Sequence, residues 1–227
     1  MTASIAAGAN MVAPFVPFEL KWDAPQLTEA ELSRNSAVEW WYFDLSTTDG
    51  VELVVIFGRK NPMWSAEKAS VYIEYKDQST SFHRVHNYER SQFSWTSGHG
   101  VNELKIGPNS VKIVGDDESS MHYEILIDEP GIQGTLTMKP DHRGFLPTFD
   151  GCYFRGKNDA SLKSCVSFSA PLMTVSGTLG LTGNPREVTG VGYHDHPWAT
   201  EQFFWTHNVW HWGRATSAES NVMFATV

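Results

Sequence analysis

From Val38 onward hydrophobic and polar positions alternate over short runs, as in EWWYFDLS, VELVVIFGR, ASVYIEYKD and MHYEILID, with turn signals such as TDG, GDD and TGN between them. A period of two sends successive side chains to opposite faces of an extended chain, so each run predicts a strand. About a dozen such runs follow one another, and no segment shows sustained helical periodicity. This predicts an all-β protein, a lipocalin-like β-barrel or β-sandwich. A doubly wound nucleotide-binding fold is excluded by the missing βαβ pattern and by the absence of GxGxxG and GxxxxGK[ST].

The pattern divides the chain in three. Residues 1–37 carry Pro14, Pro17 and Pro25 and read as an extended segment laid over a domain. Its one helical candidate is TEAELSRN, where Thr28 can cap and Glu31 follows three residues later. Residues 38–180 form an N-terminal β domain. Pro171, Gly183 and Pro185 then mark a boundary, and residues 181–227 read as the start of a second lipocalin-like β domain. That piece has too few strands to close a barrel, so either its strands complete the first domain, or the chain is one portion of a longer protein and another chain or domain completes the second barrel.

Charge narrows the partners. With 17 Lys plus Arg against 26 Asp plus Glu, the net charge is −9, and no basic stripe offsets it. Nucleic acid is an unsuitable partner, and a neutral or apolar small molecule is a suitable one. No uninterrupted apolar run reaches spanning length, and the opening MTASIAAGANMVAPFVPF lacks the features of a signal peptide. A soluble, cytoplasmic protein is expected. Two cysteines, Cys152 and Cys165, do not amount to a disulfide scaffold, and their redox state stays open.

Candidate chemistry concentrates in GYHDHPWATEQFFWTHNVWHWGR, residues 192–214. Strand alternation places His194 and His196 on one face and Tyr193 and Asp195 on the other; further on, Trp205, His207 and His211 share a face. HxH with His207 or His211 suggests zinc, but no nearby cysteine supports it, and less than one equivalent of metal is expected. Asp195 can accept from Tyr193 or be satisfied by Arg214; with His194 or His196 it can also form an acid/base couple whose pKa burial would move. In EWWYFD, Trp40, Tyr42 and Asp44 face one way and Glu39, Trp41 and Phe43 the other, so this strand is expected to be covered on both sides. Neither GxSxG nor a local Cys–His pair points to an acyl-enzyme hydrolase.

EWWYFDL, together with SFSAPLMTVSGTLGLTGNPREVTGVGYHDHPWA and the later WHWGR, resembles the carotenoid 1,2-hydratase/AttH-like superfamily, which includes fungal Diels–Alderases. The resemblance covers about residues 35–227. It departs from the family's usual DHNWG at Asp195-His196-Pro197-Trp198-Ala199. The resemblance implies two consecutive β domains with a hydrophobic pocket between or within them, a longer whole protein, and chemistry without metal, haem or nicotinamide.

The expected function is therefore a cofactor-independent cyclase, Diels–Alderase-like, folding an apolar polyene or a terpenoid or polyketide intermediate. The alternatives are a hydratase adding water to a polyene by acid catalysis and a non-catalytic lipocalin-like carrier. Asp195, His194, His196, His207 and Tyr42 are the expected catalytic groups. Glu39, Trp40, Trp41, Trp198, Trp205, Trp212 and Arg214 are the expected substrate-binding groups, because indoles give an apolar ligand large contact area with few rotatable bonds.

Overall fold

The computed structural model describes residues 16–226 apart from 62, 64, 66, 116, 118, 119, 143, 160, 201–210 and 217–220. The expected site residues Trp205 and His207 lie outside the described residues.

Sixteen strands are described. They are β1 (Val16–Pro17), β2 (Val38–Thr47), β3 (Glu52–Lys60), β4 (Ala69–Lys76), β5 (Ser81–Tyr88), β6 (Phe93–Gly98), β7 (Val101–Ile106), β8 (Asn109–Val114), β9 (His122–Glu129), β10 (Ile132–Pro140), β11 (Phe145–Leu146), β12 (Cys152–Arg155), β13 (Lys163–Gly180), β14 (Arg186–Ala199), β15 (His211–Thr216) and β16 (Asn221–Thr226). Eleven of them run in the order β5-β4-β3-β2-β14-β13-β10-β9-β8-β7-β6, every pairing antiparallel. This sheet curls into a nearly closed barrel. β15 and β16 form a separate two-stranded sheet, an incomplete second β unit.

The alternation read from the sequence fills the barrel. Trp41, Phe43 and Leu45 of β2, Leu53, Val55 and Phe57 of β3, and Val71 and Ile73 of β4 all point into one core with Tyr123, Ile125, Leu136 and Met138. Side chains tie the edge strand β5 to the ends of β8 and β9. Glu129, buried at the end of β9, accepts from Tyr88, from Asn109 Nδ2 at 2.6 Å and from His86 Nδ1 at 2.8 Å.

β14 lies inside the first barrel, between β13 and β2, although its residues fall in the segment expected to open the second domain. The expected capping box is present: Thr28 Oγ1 accepts from Glu31 N and Glu31 returns the bond, starting a one-turn helix, α1 (Glu29–Leu32). Cys152 and Cys165 face each other across β12 and β13 and are joined as a disulfide. Among the described residues no helix is long and apolar enough to cross a membrane.

Candidate functional site

The two faces of β14 do different work. His194 and His196 point into the barrel and are fully buried. His194 stacks on Phe43 with ring centroids 4.0 Å apart, and His196 on Trp41 at 4.3 Å. Each imidazole is tied to the segment that precedes β2: His196 Nδ1 donates to Trp22 O at 2.7 Å, and His194 Nε2 lies 3.3 Å from Asp23 Oδ1.

Asp23 also accepts from Tyr123 Oη at 2.6 Å and Ser169 Oγ at 2.5 Å, while Trp41 Nε1 donates to its carbonyl at 2.8 Å. Burial alone would raise the Asp23 pKa, but the His194 and His196 imidazoles and the Ser169 hydroxyl bring it below the ordinary carboxylate value. Serine, aspartate and histidine meet here without forming a nucleophilic triad, because the hydroxyl and the imidazole both address the carboxylate and not each other.

A second buried carboxylate, Glu39, accepts from Gln26 N at 2.5 Å, Leu27 N at 3.2 Å and Arg59 Nη1 at 2.9 Å. Arg59 is the extra residue of a bulge where the β2–β3 register shifts between Glu39 and Trp40, and the bulge aims its guanidinium at Glu39. The expected site residues Glu39, Trp41 and Trp198 therefore pack against protein. Trp41 joins the barrel core, and Trp198 stacks on Trp22 at 6.3 Å among Leu27, Leu32, Ala37 and Cys165. Trp40 packs on the outer face with Val38 and Ala199.

The outer faces of β2 and β14 bring the remaining residues together. Asp195 pairs in register with Tyr42, and Tyr193 with Asp44. Tyr193 Oη donates to Asp195 Oδ2 at 2.6 Å. Arg214 of β15 reaches across to Asp44 and not to Asp195, the partner expected for it. The register explains the exchange, since Tyr193 already supplies Asp195 with a donor. Arg214 also lies over the Tyr193 ring at 5.5 Å, and Trp212 packs on Tyr193 at 5.2 Å and Tyr42 at 5.7 Å. His211 is exposed.

Between these faces is a cleft of about 470 Å³, with Tyr42, Asp44, Val54, Val191, Trp212 and Arg214 in its walls. Asp195 stands behind that wall, 9% exposed, and burial pushes its carboxyl up to about 7 against the counter-pull of the Tyr193 hydrogen bond. Asp44 is also raised by burial, with Arg214 holding it back, and burial together with the Asp44 and Asp195 carboxylates lifts the Tyr42 phenol far above its ordinary value. Among the described residues no group of three or more His, Cys, Asp and Glu side chains is arranged to hold a metal ion.

Asp23, Arg59, Tyr123 and Ser169 complete the buried network without a local sequence signal. Their partners are distant in the chain, and only the strand order brings them together.

No protein-family model and no curated protein sequence matches the chain. Solved structures do share its fold. A candidate AttH from Nitrosomonas europaea superposes with a TM-score of 0.62 and 19% identity, over 91% of this chain and 63% of that one. CghA determined with Sch210972 gives 0.55 and 14%, over 74% and 47%, and a second CghA structure gives 0.54 and 15%, over 73% and 46%. The chain thus spans under two thirds of the AttH structure and less than half of CghA.

Proposed function

We propose that the chain carries one wall of the active site of a cofactor-independent cyclase, Diels–Alderase-like, which folds an apolar polyene in the cleft between the barrel and the second sheet. The observation that carries this reading is that the Tyr42 and Trp212 rings meet at one cleft, with the Asp195 carboxyl, raised by burial to about 7, paired in register behind Tyr42. The shared fold with CghA, determined with Sch210972, is in keeping with it.

A flexible chain held with its ends in contact gains a large entropic advantage, up to roughly 7–11 kcal/mol in well-oriented cases. Rigid aromatic walls provide such holding without proton transfer. In this reading Tyr42, Trp212 and Arg214 contact the substrate. Asp195 sets the polarity behind them, and His194 and His196 fix the strand that presents it. The segment up to Ala199 then belongs to the first barrel, with the boundary between the two units beyond it.

The raised Asp195 carboxyl favours a second reading, hydration, in which it protonates a double bond and water captures the cation. Incubating candidate polyenes with the chain and following mass and retention time separates the cases. Cyclisation leaves the mass unchanged and alters retention, whereas hydration adds the mass of one water. Recovery of unaltered starting material from every polyene that binds would leave only the carrier and overturn both catalytic readings.

A further inference from the structure

A second cleft, of about 620 Å³, opens where α1 and the β5–β6 connection meet the end of β3. Glu29, Arg59, Arg90, Phe93 and Trp95 stand in its walls, and it shares no lining residue with the cleft beside β15. Phe93 and Trp95 of β6 are half-buried and form its apolar side, with Trp41 stacked behind them from the core at 6.2 and 6.3 Å. A buried indole behind both rings holds them in place, so a flat ligand meets a surface that costs little to order.

The polar side is a pair of guanidinium groups sharing one carboxylate. Glu29 Oε1 accepts from Arg59 Nη2 at 2.5 Å, and its Oε2 from Arg90 Nη2 at 3.1 Å. These groups are not equally committed. Arg59 is 11% exposed, is also bound to Leu27 O and to Glu39, and lies over the Phe93 ring at 5.3 Å, so the fold fixes it. Glu29 is 75% exposed, and water competes for so open a carboxylate, which leaves its ion pairs little net worth.

The surrounding charge favours an anion in that place. Lys60, buried at the end of β3, donates to Leu32 O at 2.6 Å and Arg34 O at 2.7 Å. Burial lowers its pKa and the nearby Arg90 charge lowers it further, against an opposite pull from Glu67. Arg59, Lys60 and Arg90 thus gather positive charge in one corner of a chain whose net charge is −9. With Glu29 swung out into water, the two guanidinium groups present a fork that matches a carboxylate and sits beside two aromatic rings.

We propose that this cleft is a second ligand site, for a planar molecule carrying a carboxylate, in which Glu29 fills the place of the ligand's carboxylate between Arg59 and Arg90 while Phe93 and Trp95 take its apolar body. The site is separate from the polyene cleft, so loss of the cyclase reading would not touch it.

Calorimetry with 2-naphthoate and its neutral counterpart 2-naphthamide tests the assignment. On the unaltered chain the carboxylate should bind about tenfold more tightly than the amide, because charge-assisted bonds to guanidinium are much the stronger. Glu29→Gln removes the charge of the internal competitor and should tighten naphthoate binding about threefold to tenfold, with naphthamide nearly unchanged. Arg90→Ala should weaken naphthoate about tenfold and spare naphthamide.

A carboxylate that binds no better than the amide would remove the guanidinium pair as its partner. No gain in Glu29→Gln would mean that Glu29 does not fill a ligand's place, and naphthoate binding undiminished in Arg90→Ala would put the ligand elsewhere on the molecule. Either result overturns the proposal, as does failure of both the unaltered chain and Glu29→Gln to bind naphthoate. If Arg90→Ala does not fold, the ranking of the two probes and the gain in Glu29→Gln decide together.

Discussion

At the scale of single residues, Asp195 and Asp23 are carboxyls of opposite sign in the pH dependence of folding. Asp195 is raised to about 7 by burial, whereas an unfolded aspartate titrates near ~3.9. Between those values the native state holds a proton that the unfolded state has released. Stability therefore falls as pH rises through that window, and the penalty is complete above about 7. Asp23, depressed by the imidazoles and the serine beside it, stabilises the fold above the ordinary carboxyl pKa and loses that contribution as pH drops. Asp195→Asn cannot ionise and keeps an oxygen to accept from Tyr193. In urea titrations the variant should match the unaltered chain near pH 4 and exceed it at pH 8 by an amount on the order of a few kcal/mol. Parallel stability curves across that range would mean that Asp195 ionises freely in the native state. The same substitution divides the chemistries, since cyclisation should slow only modestly and acid-driven hydration should stop.

At the scale of elements, the segment before β2 behaves as a strap across the barrel. It is held by the carbonyls of Trp22 and Asp23, the Asp23 side chain, and the Gln26 and Leu27 amides on Glu39. Removing the Asp23 carboxylate leaves the Tyr123 and Ser169 hydroxyls and the His194 ring without their shared acceptor inside a core. Asp23→Ala should cost about 3–5 kcal/mol and lower the melting temperature by on the order of 10 °C; a change of only one or two degrees would show that the strap is not held there. The two ends of this strap differ in how readily the sequence reveals them. The Thr28–Glu31 capping box is a local signal spaced by three residues and is legible as such. Asp23 is an unremarkable acid in KWDAPQ, because its partners Tyr123, Ser169 and His194 are 100, 146 and 171 residues away. The faces of EWWYFD and HDH follow from the two-residue period and match the structure. Which strands lie side by side does not follow from that period, and strand pairing decides that Arg214 meets Asp44, that Trp41 and Trp198 pack inward, and that β14 belongs to the first sheet.

At the scale of the molecule, the cleft has a barrel for one wall and a two-stranded sheet for the other, and these walls are unequal in strength. β14 is hydrogen-bonded along both edges within a large sheet, while among the described residues β15 and β16 pair only with each other. A two-stranded ribbon gains little from its own backbone pairing and depends on what its faces cover. Here one side of the ribbon is anchored to the barrel through Arg214 on Asp44 and Trp212 on Tyr42 and Tyr193, while Val222 and Phe224 are 58% and 56% exposed. The second wall should therefore open without the barrel unfolding, and its amides should report that opening separately. In native-state hydrogen exchange the β15 and β16 amides are expected to exchange at least about tenfold faster than those of β10 and β13. Arg214→Ala should speed them further and leave the barrel amides unchanged, because the Asp44 contact is an anchor between units and not part of the barrel core. Equal protection in both sheets, or loss of barrel protection in the variant, would mean that the two walls fold as one body. A ligand bridging the cleft would then have no independent wall to close.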